Sequence, residues 1–140
     1  MRFVRKAPTL KDCRARVEGF LVSAMGRYCM AEVAAANGYQ DHTQRWRGEV
    51  ERILFIDLTF YIFGATTKPA FARRQAIKAI IAEHKSRKSF HAWLSIGRKV
   101  VALRHLKCPP GELKLPDVES SRNTFWLMVS EAITYALEES

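Results

Sequence analysis

Arg73, Arg74, Lys78, Lys85, Arg87, Lys88, Arg98, Lys99 and Arg104 crowd into a stretch of chain whose single acid is Glu83. Guanidinium and ammonium groups repeated over a short span, without carboxylates between them, concentrate a positive field that attracts polyanions. The same cations scattered among acids would serve solubility alone. Residues 68–107 hold eleven Lys or Arg against that one acid, a local +10 in a chain of net charge +9. Residues 1–67 add ten bases and seven acids, and residues 108–140 two bases and six acids, so the remainder is close to neutral. The chemistry this spacing supports is neutralisation of phosphates, which carries no base-sequence preference of its own.

Such a field needs rigid elements to aim it, and the hydrophobic periodicity supplies helices. Apolar residues at Leu10, Cys13, Val17, Phe20, Leu21, Ala24, Met25, Tyr28 and Val33 mark one face of a helix over 10–36, stopped by Asn37 and Gly38. Asp41 and Gln44 have capping-box spacing and predict a second helix over 42–63, ending at Gly64. Pro69 suits the first turn of a third helix over 69–85. Ser86 and Ser89 offer N-caps for a fourth over 90–106, and an unbroken helix of that combined length would outreach a domain of this size. After the loop containing Pro109, Pro110, Gly111 and Pro116, Ser120 or Ser121 opens a fifth helix over 121–137. No segment alternates as a half-buried strand does. The reading is an all-α, single-domain bundle of about five helices over residues 9–140, preceded by a flexible basic segment over 1–8.

On the third helix Arg74, Lys78 and Lys85 fall within about 40° of one another. On the fourth, Phe90, Trp93, Leu94, Val100, Val101 and Leu103 face the core, leaving His91, Ser95, Arg98 and His105 opposite, with Lys88 and Lys99 beside them. If the chain turns back at 86–89, the two basic stripes merge, with Arg87 and Lys88 at the turn. In the first two helices the bases find acids one turn away: Asp12 with Arg16, Arg14 with Glu18, Arg45 with Glu49 and Arg47 with Glu51. Ile81 to Leu94 has the Ser-Arg start and Trp-Leu end of a helix-turn-helix segment, but lacks the turn glycine and is about two residues short.

Other chemistry leaves few traces. His42, His84, His91 and His105 fit no metal-ligand spacing and read as surface residues of a basic face. Cys13, Cys29 and Cys108 form an odd, dispersed set without C-x-x-C, the pattern of reduced cytoplasmic thiols. No phosphate-binding glycine loop or nucleophile elbow occurs. In α-helical geometry Asp57 points about 140° away from Arg52, among Val50, Leu54 and Tyr61, which makes it a buried or half-buried acid in need of a cationic partner. Trp46, Trp126 and Tyr135 read as core residues or, where exposed, as subunit contacts. The apolar run over 53–63 is too short to cross a bilayer. The expectation is a cytoplasmic, non-enzymatic protein without cofactor or metal. Its partner is DNA or RNA, met through the phosphate backbone; the alternative is a small helical adaptor, inhibitor or assembly subunit docking an acidic protein surface. Homo-oligomerisation is compatible with either.

Overall fold

The computed structural model describes residues 10–64, 70–87 and 113–138. It is an all-α bundle, and among the described residues no strand occurs. Helix α1 spans Leu10–Ala36; α2 (Gln40–Glu51), a π-helical stretch (Arg52–Leu58) and α3 (Thr59–Phe63) run on as one rod; α4 spans Ala70–Ser86 and α5 spans Val118–Glu138. The helix expected over 90–106, the loop before Leu113 and the basic segment over 1–8 lie outside the described residues.

The stop after α1 is built as its sequence implies. Gly38 takes φ +78°, the Tyr39 N–H donates to Ala34 O at 2.9 Å and the Gly38 N–H to Ala35 O at 3.3 Å, so these two carbonyls of the last turn are satisfied. Asn37 does more than stop the helix. Its Nδ2 donates to Val33 O at 2.8 Å and to Lys114 O at 2.9 Å, while its Oδ1 accepts from the Lys114 N–H at 2.9 Å. The segment leading into α5 is thereby pinned to the end of α1. Two other starts differ from expectation. The capping box at Asp41 is unused, since α2 begins at Gln40 without a side-chain cap. The last helix opens three residues early because Asp117 Oδ2 accepts the Ser120 N–H at 3.2 Å, a stronger N-cap than either serine.

The π-helical stretch follows from the spacing of the core residues. Val50, Leu54, Leu58 and Ile62 are all buried, and they recur every four residues. At about 100° per residue an α-helix would rotate such a stripe by about 40° per step, carrying Ile62 well out of the core. Wider i→i+5 turns unwind that drift and keep the stripe straight. Thr59 then turns inward at 3 % exposure, with its Oγ1 donating to Leu54 O at 3.1 Å. Asp57 is half-buried and has a cationic partner, as expected, but the partner is the arginine that α-helical geometry turned away from it. Five residues separate it from Arg52, an interval that the π geometry brings together, and Arg52 Nε lies 3.9 Å from Asp57 Oδ2 in a half-exposed pair.

The core draws on every described helix. Leu21, Met25 and Tyr28 of α1, Leu54 and Ile62 of the second rod, Ile77 and Ile80 of α4, and Phe125, Val129 and Ala136 of α5 form one cluster. Cys13 and Cys29 are buried free thiols within it. Trp126, 4 % exposed, is a core residue, and Trp46 packs in a smaller cluster with Met30 and Val33; Tyr135 is exposed. No described helix is long and apolar enough to cross a membrane.

Candidate nucleic-acid interface

Helix α4 carries its charges on two flanks of a buried face. Ile77, Ile80, Ile81 and His84 point inward at the i, i+3, i+4, i+7 interval. Lys78 and Lys85 are exposed along one flank, with Arg74 half-buried beside them. Glu83 lies about 140° to 160° around the helix from these lysines. It is not left to offset them. Arg14 of α1 and Arg87 both donate to the Glu83 carboxylate, Arg87 Nη2 at 2.9 Å from Oε1. The hydrogen bond from Arg87, then that from Arg14, holds the Glu83 carboxyl below its ordinary range. The one acid of the basic stretch is therefore neutralised on the far flank.

Arg87 is correspondingly occupied, and the pairing expected between Arg14 and Glu18 does not form. Glu18 instead turns to His84, whose Nε2 is 3.4 Å from Glu18 Oε2. The Nδ1 of His84 donates to Ile80 O at 2.8 Å, since a carbonyl can only accept. His84 is 0 % exposed, so the surface reading of this histidine is corrected. Position 84 completes the apolar heptad of α4, and helix geometry placed it inward regardless of its polarity. Two further short-range pairs are replaced by tertiary contacts. Glu49 accepts from Arg27 Nε at 3.0 Å rather than from Arg45, which lies over the Trp46 ring, and Arg16 lies over the Tyr61 ring.

The lowered pKa of Glu83 gives a pH test. A carboxylate whose folded pKa is lowered contributes stability that is present above the unfolded value and is lost as pH falls through the folded one. Glu83→Gln should therefore lower the urea midpoint at neutral pH, and its difference from the wild type should shrink as the solution is acidified through the carboxylate range. A difference that stays constant with pH would show that the charge of Glu83 contributes nothing.

Helix α4 ends at Ser86. Ser86 Oγ donates to Glu83 O at 2.8 Å and the Arg87 N–H to His84 O at 3.2 Å, closing the last turn where the sequence placed the break. Lys88, Arg98, Lys99 and Arg104, the Arg73 side chain, and the second half of the helix-turn-helix segment lie outside the described residues.

No protein-family model, curated protein or solved structure matches this chain. The residues must speak for themselves, and they add one cation that sequence reasoning missed. Arg122 of α5, half-buried, joins Lys85, Asn123, Trp126, Leu127 and Ser130 around a groove of about 370 Å³. The acidic balance of residues 108–140 hid it, although its place one turn before the buried Trp126 marks an inward-leaning arginine. Among the described residues no group of three or more His, Cys, Asp or Glu side chains is disposed to hold a metal ion.

Proposed function

We propose that this chain is a non-enzymatic nucleic-acid-binding protein that grips the phosphate backbone of DNA or RNA through the basic stretch 68–107. The observation that carries this reading is the separation of charge on α4. Lys78 and Lys85 stand exposed on one flank, while Glu83 is held on the other by Arg14 and Arg87. The flank keeps its positive field, and a phosphate backbone releases counterions when it meets that field. Arg74 adds to the same flank, and the sequence supplies Arg73, Lys88, Arg98, Lys99 and Arg104 close by along the chain.

The test is fluorescence anisotropy with labelled duplex DNA, single-stranded DNA and RNA across a salt series. With about five phosphate contacts the logarithm of affinity for duplex DNA should fall against the logarithm of salt with a slope of about −4.5. Lys78→Glu combined with Lys85→Glu should abolish binding at moderate salt and leave the unfolding transition in place, because neither side chain enters the core. Absence of binding at low salt, or a slope near zero, would overturn the reading. An acidic protein would then be the partner to pursue.

A further inference from the structure

Of four crevices on the described surface, three carry their own carboxylates. One holds Glu51 and Glu131, another Asp57, a third Glu32 and Glu51. The fourth, between α4 and α5, is different. Lys85 and Arg122 both reach it, and among the described residues no acid lines it. Among the described residues neither cation has a carboxylate within 4.0 Å, whereas Arg14, Arg27, Arg52 and Arg87 are all ion-paired. Two like charges on one groove repel, and half-buried Arg122 has no carboxylate counterion among the described residues. An anion in the groove would relieve both.

From this geometry we infer that the α4–α5 groove seats a phosphate group, which extends the nucleic-acid interface from α4 onto α5. The inference rests on the function proposed above and adds to it the residues of α5. The groove is large enough for a nucleotide-sized anion, about 370 Å³, and open to solvent on one side as a polymeric ligand requires. Arg122 offers the planar fork that pairs two phosphate oxygens, and Lys85 a point charge from the facing helix. Asn123 and Ser130 are exposed on the same flank of α5 and supply neutral donors. Trp126 closes the floor, so the charges face the ligand over an apolar base, where their attraction is screened less than on open surface. Leu127, 61 % exposed at the rim, gives the sugar an apolar wall.

The experiment compares wild type, Arg122→Gln, Arg122→Lys and the double variant Lys78→Glu/Lys85→Glu by anisotropy on a labelled duplex. A parallel titration of the wild type with inorganic pyrophosphate is followed by amide NMR shifts. Arg122→Gln should weaken duplex binding about tenfold at low salt and reduce the salt slope by about one. Arg122→Lys should keep the slope but lose part of the affinity, since it retains the charge and not the fork. Pyrophosphate should shift the amides around Lys85, Arg122 and Asn123 together. If Arg122→Gln binds as the wild type does while the lysine reversal destroys binding, the groove inference falls and the proposed function stands. If no oligonucleotide binds the wild type, the proposed function falls, and the pyrophosphate shifts then decide the groove alone: clustered shifts uphold it as an anion site, and silent amides overturn it.

Discussion

Phe125→Ala should cost the bundle about 3 to 5 kcal/mol, a large part of the stability of a domain this size. Phe125 is fully buried, and it packs against two other rings. Its centroid is 5.4 Å from that of Tyr28 on α1 and 5.2 Å from that of Trp126, with interplanar angles of 48° and 69°. Tilted and edge-on pairs of this kind contribute about 0.5 to 1.5 kcal/mol each beyond area burial. Removing the ring breaks both contacts and leaves a cavity in the core cluster. The contact between α1 and α5 passes through this stack, so the loss is not confined to one helix. Urea denaturation should show a midpoint shifted well below that of the wild type at an unchanged slope. Phe125→Leu, which retains most of the volume, should recover roughly half of the loss. Equal midpoints for wild type and Phe125→Ala would mean that the ring stack does not hold α1 to α5.

The contrast between such core positions and the charged ones explains what the sequence disclosed. The span of α1, the stop at Gly38, the end of the second rod at Phe63 and the end of α4 at Ser86 follow from local signals that no distant residue overrides. Phe125, Val129 and Ala136, all buried, likewise sit at spacings that helix periodicity puts on one face of α5. Charges behaved differently. Pairing by sequence proximity joined Arg14 to Glu18, yet Arg14 pairs with Glu83 and Glu18 lies beside His84, both on α4, and Glu49 took Arg27 instead of Arg45. An i, i+4 pair contributes only a few tenths of a kcal/mol, so any tertiary neighbour with better geometry displaces it. The π-helical stretch escaped notice for another reason. Its signal, four buried residues at intervals of four, is visible only once those residues are known to share one face. Arg122 was obscured by summing charge over a segment, because an arginine among acids in sequence can still lie in a groove without any. The exposed lysines of α4 were placed correctly, since periodicity alone determines which flank they occupy.

His84 decides whether α4 is held in place by packing or by polarity. Its ring is fully buried against α1, with one nitrogen on the Ile80 carbonyl and the other facing Glu18. His84→Ala should destabilise the protein by about 2 to 3 kcal/mol, through a cavity between α1 and α4 and the loss of the polar contacts. The two contributions separate in His84→Leu, which fills most of the volume without polar atoms. The Ile80 carbonyl remains part of the helical ladder whatever side chain stands at 84, so leucine strands no acceptor there. Glu18 is about half exposed, 46 % at its side chain, and keeps its hydration when the imidazole is gone. A contact to a solvated carboxylate contributes little net stability. His84→Leu should therefore unfold within about 1 kcal/mol of the wild type, well above His84→Ala. Matching losses in the two variants would instead assign the junction to the polar contacts. The same pair reports on the proposed interface, because α4 carries Lys78 and Lys85 while His84 touches neither ligand nor solvent. With α4 seated, His84→Leu should bind labelled duplex DNA with the affinity and salt slope of the wild type. His84→Ala, at a temperature where it is still folded, should bind more weakly although no charge has been removed from the basic flank: a loosened α4 no longer holds Lys85 opposite Arg122, and a phosphate between them then meets one fixed cation instead of two.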